Sequence, residues 1–150
     1  MEATGSGDVV IRDLRLDDYE AVTRLWTEAG LPFRPQGRDS VVKIALELTR
    51  GTAVFLVAEA GGSLAGVVLG THDGRKGWIN RLAVADAHRR KGIARRLVEE
   101  VEARLAALGI DIVAALIESH NESSLAFFRA IGYAHDPGIE YVSKRSSPEA

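Results

Sequence analysis

The sequence predicts a mixed α/β fold, with a mostly antiparallel central sheet flanked by helices and one parallel strand pair. Three observations carry this. Residues 53–60 and 64–71 are apolar, strand-like runs joined at Gly61-Gly62, and a third run at 78–84 follows a polar turn at 72–76, which makes an antiparallel meander. Ala94, Leu97, Val98, Val101, Leu105 and Leu108 then line one side of a long helix that Gly109 terminates. Residues 110–117 are nearly unbroken apolar and rich in β-branched side chains, as suits a strand covered on both faces. A right-handed crossover places that strand parallel to 78–84.

The other elements follow in order. Residues 9–14 alternate as a short strand, and Asp17 is read as capping a helix with Glu20 three residues on and apolar Ala21, Val22, Leu25 and Trp26 behind it. Gly30 ends that helix. Pro32 and Pro35 mark residues 31–38 as a loop, and Asp39 is read as the cap of a second helix through Val42, Ala45, Leu46 and Leu48. A last helix over about 121–131 ends at Gly132. Residues 132–135 and 139–144 are expected to finish the sheet as antiparallel strands around the Asp136-Pro137-Gly138 turn. Small and polar residues suggest flexible tails at 1–7 and about 145–150. No linker or repeat divides the 150 residues, so a single domain over 1–150 is expected.

Composition removes several classes of function. The chain is 46% hydrophobic with a formal charge of -2, which gives no global attraction to nucleic acid or to an anionic membrane surface. Neither is expected as a partner. With no cysteine there is no disulfide framework, thiolate metal site or cysteine nucleophile. His72, His88 and His120 make no convincing metal spacing, so no metal is expected. The first residues lack a signal-peptide pattern and no apolar run approaches the ~20 residues a bilayer requires, so a cytoplasmic protein is the expectation.

The stretch that bears chemistry is His88, Arg89, Arg90, Lys91, Gly92, Ile93, Ala94, Arg95 and Arg96, where six of nine side chains are basic or histidine. It lies at a strand-to-helix junction. A helix N-terminus already carries about half a positive charge, so cations there cost about 0.3 to 1 kcal/mol each. A bound anion removes the conflict. Gly92 lets the backbone approach a ligand, and the first-turn amides can then point at phosphate oxygens, as in a pyrophosphate cradle. A solvated basic turn is the competing reading of the run taken alone.

Arg89, Gly92 and Ala94 fit the signature of arginine or glutamine, two residues, glycine, one residue, then glycine or alanine. Arg81-Leu82-Ala83-Val84 stands before it, Asn121 opens the next helix, and Ala126-Phe127-Phe128-Arg129-Ala130-Ile131-Gly132-Tyr133 closes the pattern. On these residues the chain resembles the GNAT superfamily of N-acetyltransferases over roughly residues 9–144, and within it the small bacterial members of the YpeA type. The resemblance implies acetyl-CoA as cosubstrate, a primary amine as acceptor, and direct attack in a ternary complex. A non-catalytic acyl-CoA-binding or sensor module is the alternative. A homodimer stays open.

The resemblance also implies a fold with splayed fourth and fifth strands and a site within it. The pantetheine arm pairs with backbone groups of Leu82, Ala83 and Val84, and the pyrophosphate sits on Arg89, Arg90, Lys91, Gly92, Ile93, Ala94 and Arg95. Asn121 and Phe128 contact the pantetheine and sulfur end, although Asn121 reads equally as a plain N-cap. The backbone amide of Leu82 or Ala83 is the oxyanion donor. Phe128 stands where many relatives place a tyrosine acid, so Ser124, one turn earlier, is the substitute proton donor, against a bland surface hydroxyl. Glu118 is the base or water relay, against a solvated strand-end acid. Arg34 and Arg38 in the proline loop point to an acceptor that carries a carboxylate, against ordinary exposed arginines.

Overall fold

In the computed structural model residues 8–150 are described; the expected tail at 1–7 lies outside them. Five strands form one sheet in the order β1 (Val9–Asp13), β2 (Ala53–Ala60), β3 (Ser63–His72), β4 (Gly77–Val84) and β5 (Val113–Ala115). Neighbours are antiparallel except β4 and β5, which run parallel. Gly61 and Gly62, at φ 59° and 85°, turn β2 into β3 through a two-residue hairpin that demands positive φ at both positions. The helices are α1 (Tyr19–Glu28), α2 (Val41–Leu48), α3 (Ile93–Ala107) and α4 (Glu122–Ala130). No helix of the described residues is long and apolar enough to cross a membrane.

The sheet is buried on both faces. On one, Leu56, Val68, Leu97, Val101, Leu105 and Phe128 share a cluster with α3 and α4; on the other, Val57, Val67, Val22, Trp26 and Ile44 pack with α1 and α2. Glycines bring α3 close to the strands. A Cβ on Gly66 would stand 3.1 Å from Leu97 and 3.2 Å from Ile93, one on Gly70 2.9 Å from Val101, and one on Gly77 would collide with Leu105. These helix residues are four apart, so one row of side chains seats in the gap left by three missing ones. That contact sets where the N-terminus of α3 lies relative to β4.

Three expectations are corrected. Asp17 caps nothing: a short 3-10 turn over Leu16–Asp18 precedes α1, and the Asp18 carboxylate is engaged by Arg12 and by the Arg15 amide. Ser40, not Asp39, caps α2, its hydroxyl accepting the Lys43 amide at 3.2 Å. Residues 132–135 and 139–144 form no strands, because β5 is only three residues long and offers too little edge for a further hairpin. Residues 145–150 lie against the proline loop, where Arg38 Nη1 donates to the Ala150 main-chain oxygen at 2.9 Å.

Candidate functional site

The parallel ladder between β4 and β5 is short, matching Gly77 with Val113, Trp78 with Ala114 and Ile79 with Ala115, and then it stops. Beyond Ile79 the two strands part. Asn80 is the reason on the β4 side: β3 pairs Leu69 with Arg81 but Gly70 with Ile79, so Asn80 is the extra residue of a β-bulge, which bends and twists its strand. Past the bulge the hydrogen-bonding parity can be read directly. The Ala85 amide donates to the Ala65 carbonyl at 2.8 Å, as a directly opposite pair, so alternation turns Ala83 and Arg81 toward β3 and turns Leu82 and Val84 away from it. The Ala83 carbonyl, 3.1 Å from a Cβ placed on Gly66, confirms that side. Leu82 and Val84 therefore present their N–H and C=O groups to the gap. Ala83 does not, which removes it as oxyanion donor and as a partner of the pantetheine.

At the far end of β4 the chain turns into α3 through two left-handed residues, Arg90 at φ 65° and Gly92 at φ 77°. A non-glycine residue in that region costs on the order of 1 kcal/mol or more, so the turn holds strain at Arg90. Among the described residues the amides of residues 90–95 have no protein acceptor, and no side chain caps α3. Free N–H groups at a helix N-terminus suit an anion. Ile93 is buried and anchors the turn, Ala94 is half-buried, and Arg89, Arg90, Lys91 and Arg95 are exposed around it. Arg89 pairs with Asp86 and Arg95 with Glu99 at the surface, where such pairs stabilise little. The residues present fit a pyrophosphate.

The opposite wall comes from α4 and the loop after β5. Asn121 accepts the Ser124 amide at 3.2 Å, so it is an N-cap here. Phe128 is buried, edge-on to Phe127 and to Tyr133 with ring centroids 5.1 and 5.0 Å away. Ser124 stands one turn before Phe128 and also lines the cleft. Tyr133 does not replace the missing acid, because its hydroxyl donates to Glu102 at 2.6 Å and burial pushes its pKa up. Glu118 lines the cleft too, but β5 has ended at Ala115, so strand alternation no longer sets its direction; its side chain is 75% exposed with His120 Nδ1 at 3.9 Å.

One continuous cleft of about 2210 Å³ joins the 89–95 turn, the β4 edge and the loop and helix at 29–50. That exceeds the ~300 to 1,000 Å³ of a single drug-sized ligand, leaving room for two substrates. The end of the cleft beside residues 29–50 is organised by a residue that sequence reasoning placed elsewhere. Asp39 is 4% exposed; its Oδ2 accepts Arg81 Nη2 at 2.6 Å and the Arg34 amide at 2.6 Å, while its carbonyl accepts the Tyr19 hydroxyl at 2.7 Å. Arg81 also donates to the Pro32 carbonyl and lies 5.0 Å over the Trp26 ring. Thus β4, through Arg81, holds the proline loop beside its free edge. An aspartate next to a serine at a helix start reads as a cap, and only the distant partner reveals otherwise.

Comparison with known proteins places these features in context. The sequence pattern of the Acetyltransferase (GNAT) family matches residues 12–133. An acetyltransferase of Sodalis glossinidius (strain morsitans) is 30% identical over 135 residues, covering 90% of this chain and 94% of that protein. Among solved structures, the PaiA N-acetyltransferase of Thermoplasma acidophilum in complex with coenzyme A superposes with a TM-score of 0.75 at 22% identity, over 86% of this chain and 91% of that one. The AAC(6')-Iy enzyme, in complex with a bisubstrate analogue joining CoA to an acetylneamine, superposes with a TM-score of 0.77 at 17% identity, over 92% and 99%.

Proposed function

The chain belongs to the GNAT acetyltransferase family, and from that premise we propose that it is a single-domain, acetyl-CoA-dependent N-acetyltransferase that moves the acetyl group to a primary amine within a ternary complex. The observation that carries this reading is the row of free amides at residues 90–95, continuous through one cleft with the unpaired edge of Leu82 and Val84. The first holds the diphosphate of the cosubstrate, with Arg89, Arg90 and Arg95 adding charge. The second pairs with the amide groups of its arm. Bound there, acetyl-CoA supplies an activated acetyl group as a thioester.

What the chain's own residues do follows from their placement. The amine nitrogen forms a bond to the acetyl carbon while the carbon–sulfur bond breaks, so charge builds on the carbonyl oxygen and then on sulfur. The Leu82 amide donates to that oxygen, a contribution of about 10² to 10³ in rate. Phe128 forms an apolar wall near the sulfur. A thiol with a pKa near ~8.5 leaves readily as thiolate, which takes up a proton from water, with Ser124 as a hydroxyl relay that passes one proton on as it receives another. The proton released by the amine passes to water, with Glu118 at the cleft mouth as relay. Holding both reactants in one cleft does the rest.

A phenylalanine at 128, which carries no acidic proton, favours a second reading, a module that binds acyl-CoA without turnover. A screen of primary amines with acetyl-CoA, reading free thiol release, separates the two. Gly92→Val tests the cradle. No protein atom lies within 4 Å of the added Cβ, so the fold bears only the positive-φ cost of about 1 to 3 kcal/mol, whereas the side chain enters the space of the phosphates. A folded variant with unchanged acetyl-CoA affinity overturns the site.

A further inference from the structure

An amine that enters the cleft as an ammonium gives up two protons before its acetylation is complete. A primary alkylamine has a pKa near ~10.4, so at pH 7 less than about one part in 10³ is the neutral nucleophile. One proton has to leave before attack, ahead of the one shed as the new bond forms. A carboxylate beside the acceptor is the natural group to take it.

Among the described residues four carboxylates line the cleft, those of Asp39, Glu47, Glu118 and Glu149. Three are ill suited. Asp39 is held by Arg81 at 2.6 Å, Glu118 is 75% exposed beyond the end of β5, and Glu149 is exposed in the terminal segment. Glu47 differs in each respect, being half-buried, with no basic side chain among the described residues paired to it. Packing explains why it is held there. Ile44, 3% exposed, and the partly buried Leu48 seat α2 on the cluster that contains Phe55 and Leu69, and Glu47 lies one turn after Ile44 on the same flank of the helix. Phe55 and Leu69 reach the cleft at this end.

The position is also tied to the transfer point. Asp39 is close enough to act on Glu47 electrostatically, Asp39 grips Arg81, and Arg81 precedes Leu82 in β4. Burial pushes the Glu47 pKa above its ordinary value; Arg50 pulls it back and Asp39 adds to the rise. Lys43 and Arg50, the cations of its own helix, are both exposed to solvent. A partly dehydrated carboxylate without a counter-charge is costly, and a ligand cation removes the cost.

We infer that Glu47 receives the acceptor as its ammonium and is the base that takes the first proton, leaving a neutral amine and a carboxylic acid that then returns its proton to water. This rests on the acetyltransfer reading of the same cleft. The test pairs an alkylamine that releases thiol with its β-fluorinated analogue, whose electron-withdrawing fluorines keep the nitrogen largely neutral at pH 7. The analogue needs no base.

Glu47→Gln should lower kcat/KM for the alkylamine by about 10² or more and for the fluorinated amine by less than about threefold, with acetyl-CoA affinity kept within about twofold. Glu47→Asp should restore part of the loss. With the alkylamine the deficit of Glu47→Gln should shrink as pH rises toward ~10, where the amine supplies its own free base. An equal loss for both amines, a deficit that does not change with pH, or no loss at all overturns the assignment. If no primary amine releases thiol, the acetyltransfer reading fails by itself. Calorimetric titration of the CoA-loaded protein with n-butylamine at pH 7, parent against Glu47→Gln, then decides the ammonium site: binding that depends on Glu47 sustains it, and equal binding or none overturns it.

Discussion

Replacing either of two adjacent residues by proline tests the hydrogen-bonding parity of β4 and the function built on it. Proline removes one N–H, and at Leu82 that N–H faces the gap, whereas at Ala83 it faces β3. Leu82→Pro loses no ladder bond. Its structural cost is the packing of a half-buried leucine against the α3-side core, about 1 to 3 kcal/mol. Ala83→Pro breaks a ladder bond inside the sheet and forces a ring into a site that is 4% exposed, about 3 kcal/mol or more. The catalytic consequence runs the other way. Loss of a lone oxyanion donor should lower kcat by about 10² to 10³, equal to about 2.7 to 4 kcal/mol, in Leu82→Pro. Leu82→Ala keeps the amide and removes most of the side chain, so the ratio of kcat between the two Leu82 variants isolates the N–H. Urea denaturation and steady-state thiol release measure both halves. A folded Leu82→Pro with kcat within a few-fold of Leu82→Ala refutes the donor, and an Ala83→Pro as stable as Leu82→Pro refutes the parity.

Asp39→Asn leaves Arg81, whose side chain is 10% exposed, without its counter-charge beside two other arginines, and should lose about 3 to 5 kcal/mol in urea titration. Replacing both, as Asp39→Leu with Arg81→Met, should recover most of that stability but not acceptor KM, because the proline loop loses its tether to β4. Arg12 grips Asp18 with two bonds of 2.9 Å, and this hydrogen bonding, ahead of the opposing effect of burial, holds the Asp18 carboxyl below the usual range. A depressed folded pKa means that its stabilisation is complete above about pH 4 and disappears as pH falls through the folded value. Asp18→Asn should therefore cost about 1.5 to 3 kcal/mol at pH 7 and flatten the acid limb of a stability–pH curve; an unchanged limb rules the pair out as its source. Phe128→Tyr places a hydroxyl at the cleft wall and should hold or raise turnover, most below the thiol pKa of ~8.5, with acetyl-CoA affinity kept within a few-fold. Coincident profiles from pH 6 to 9 for the parent, Phe128→Tyr, Ser124→Ala and the double variant dismiss proton delivery by Ser124.

Local pattern was enough for the elements whose causes are local. The double-glycine hairpin, the α3 stripe and the strand-to-helix turn at 88–96 could all be read before any partner was known, because turn geometry and helix period act over a few residues, whereas the run at 110–117 was read too long: only Val113–Ala115 pairs as a strand, and Ile112 and Leu116 are exposed. Where tertiary partners decide, reading along the chain failed. Asp39 has the type and position of a cap, yet a serine one residue later takes that task and an arginine 42 positions away claims the carboxylate. Leu82 and Ala83 are indistinguishable as amide donors until the bulge at Asn80 fixes which faces the gap. The run at 139–144 alternates like a strand but meets no partner edge, and Ile139, Tyr141 and Val142 remain exposed. The basic turn stood out for the converse reason: a helix start crowded with cations contradicts local stability, and such a contradiction points to a bound anion without reference to the rest of the fold.

The bulge at Asn80 ties the two halves of the site together. Before it, Gly77 and Ile79 face α3 with their Cα substituents and turn their main-chain groups toward β5. After it, the same two properties belong to Leu82 and Val84, while Arg81 points to the α1 and α2 side, where it meets Trp26 and Asp39. Without the extra residue every position from 81 to 84 would exchange faces. Arg81 would then lie against α3, the proline loop would lose its anchor, and the groups opposed to the gap would be those of Arg81 and Ala83. One inserted residue therefore sets both which main-chain groups β4 leaves free at the gap and which arginine tethers the proline loop. It also bends β4 where its ladder to β5 ends, which opens the gap those groups need. A register error here would lose the free edge and the loop tether at once, and the strand is pinned against it from both sides, by the glycine-seated row of α3 below and by the buried Arg81–Asp39 pair above.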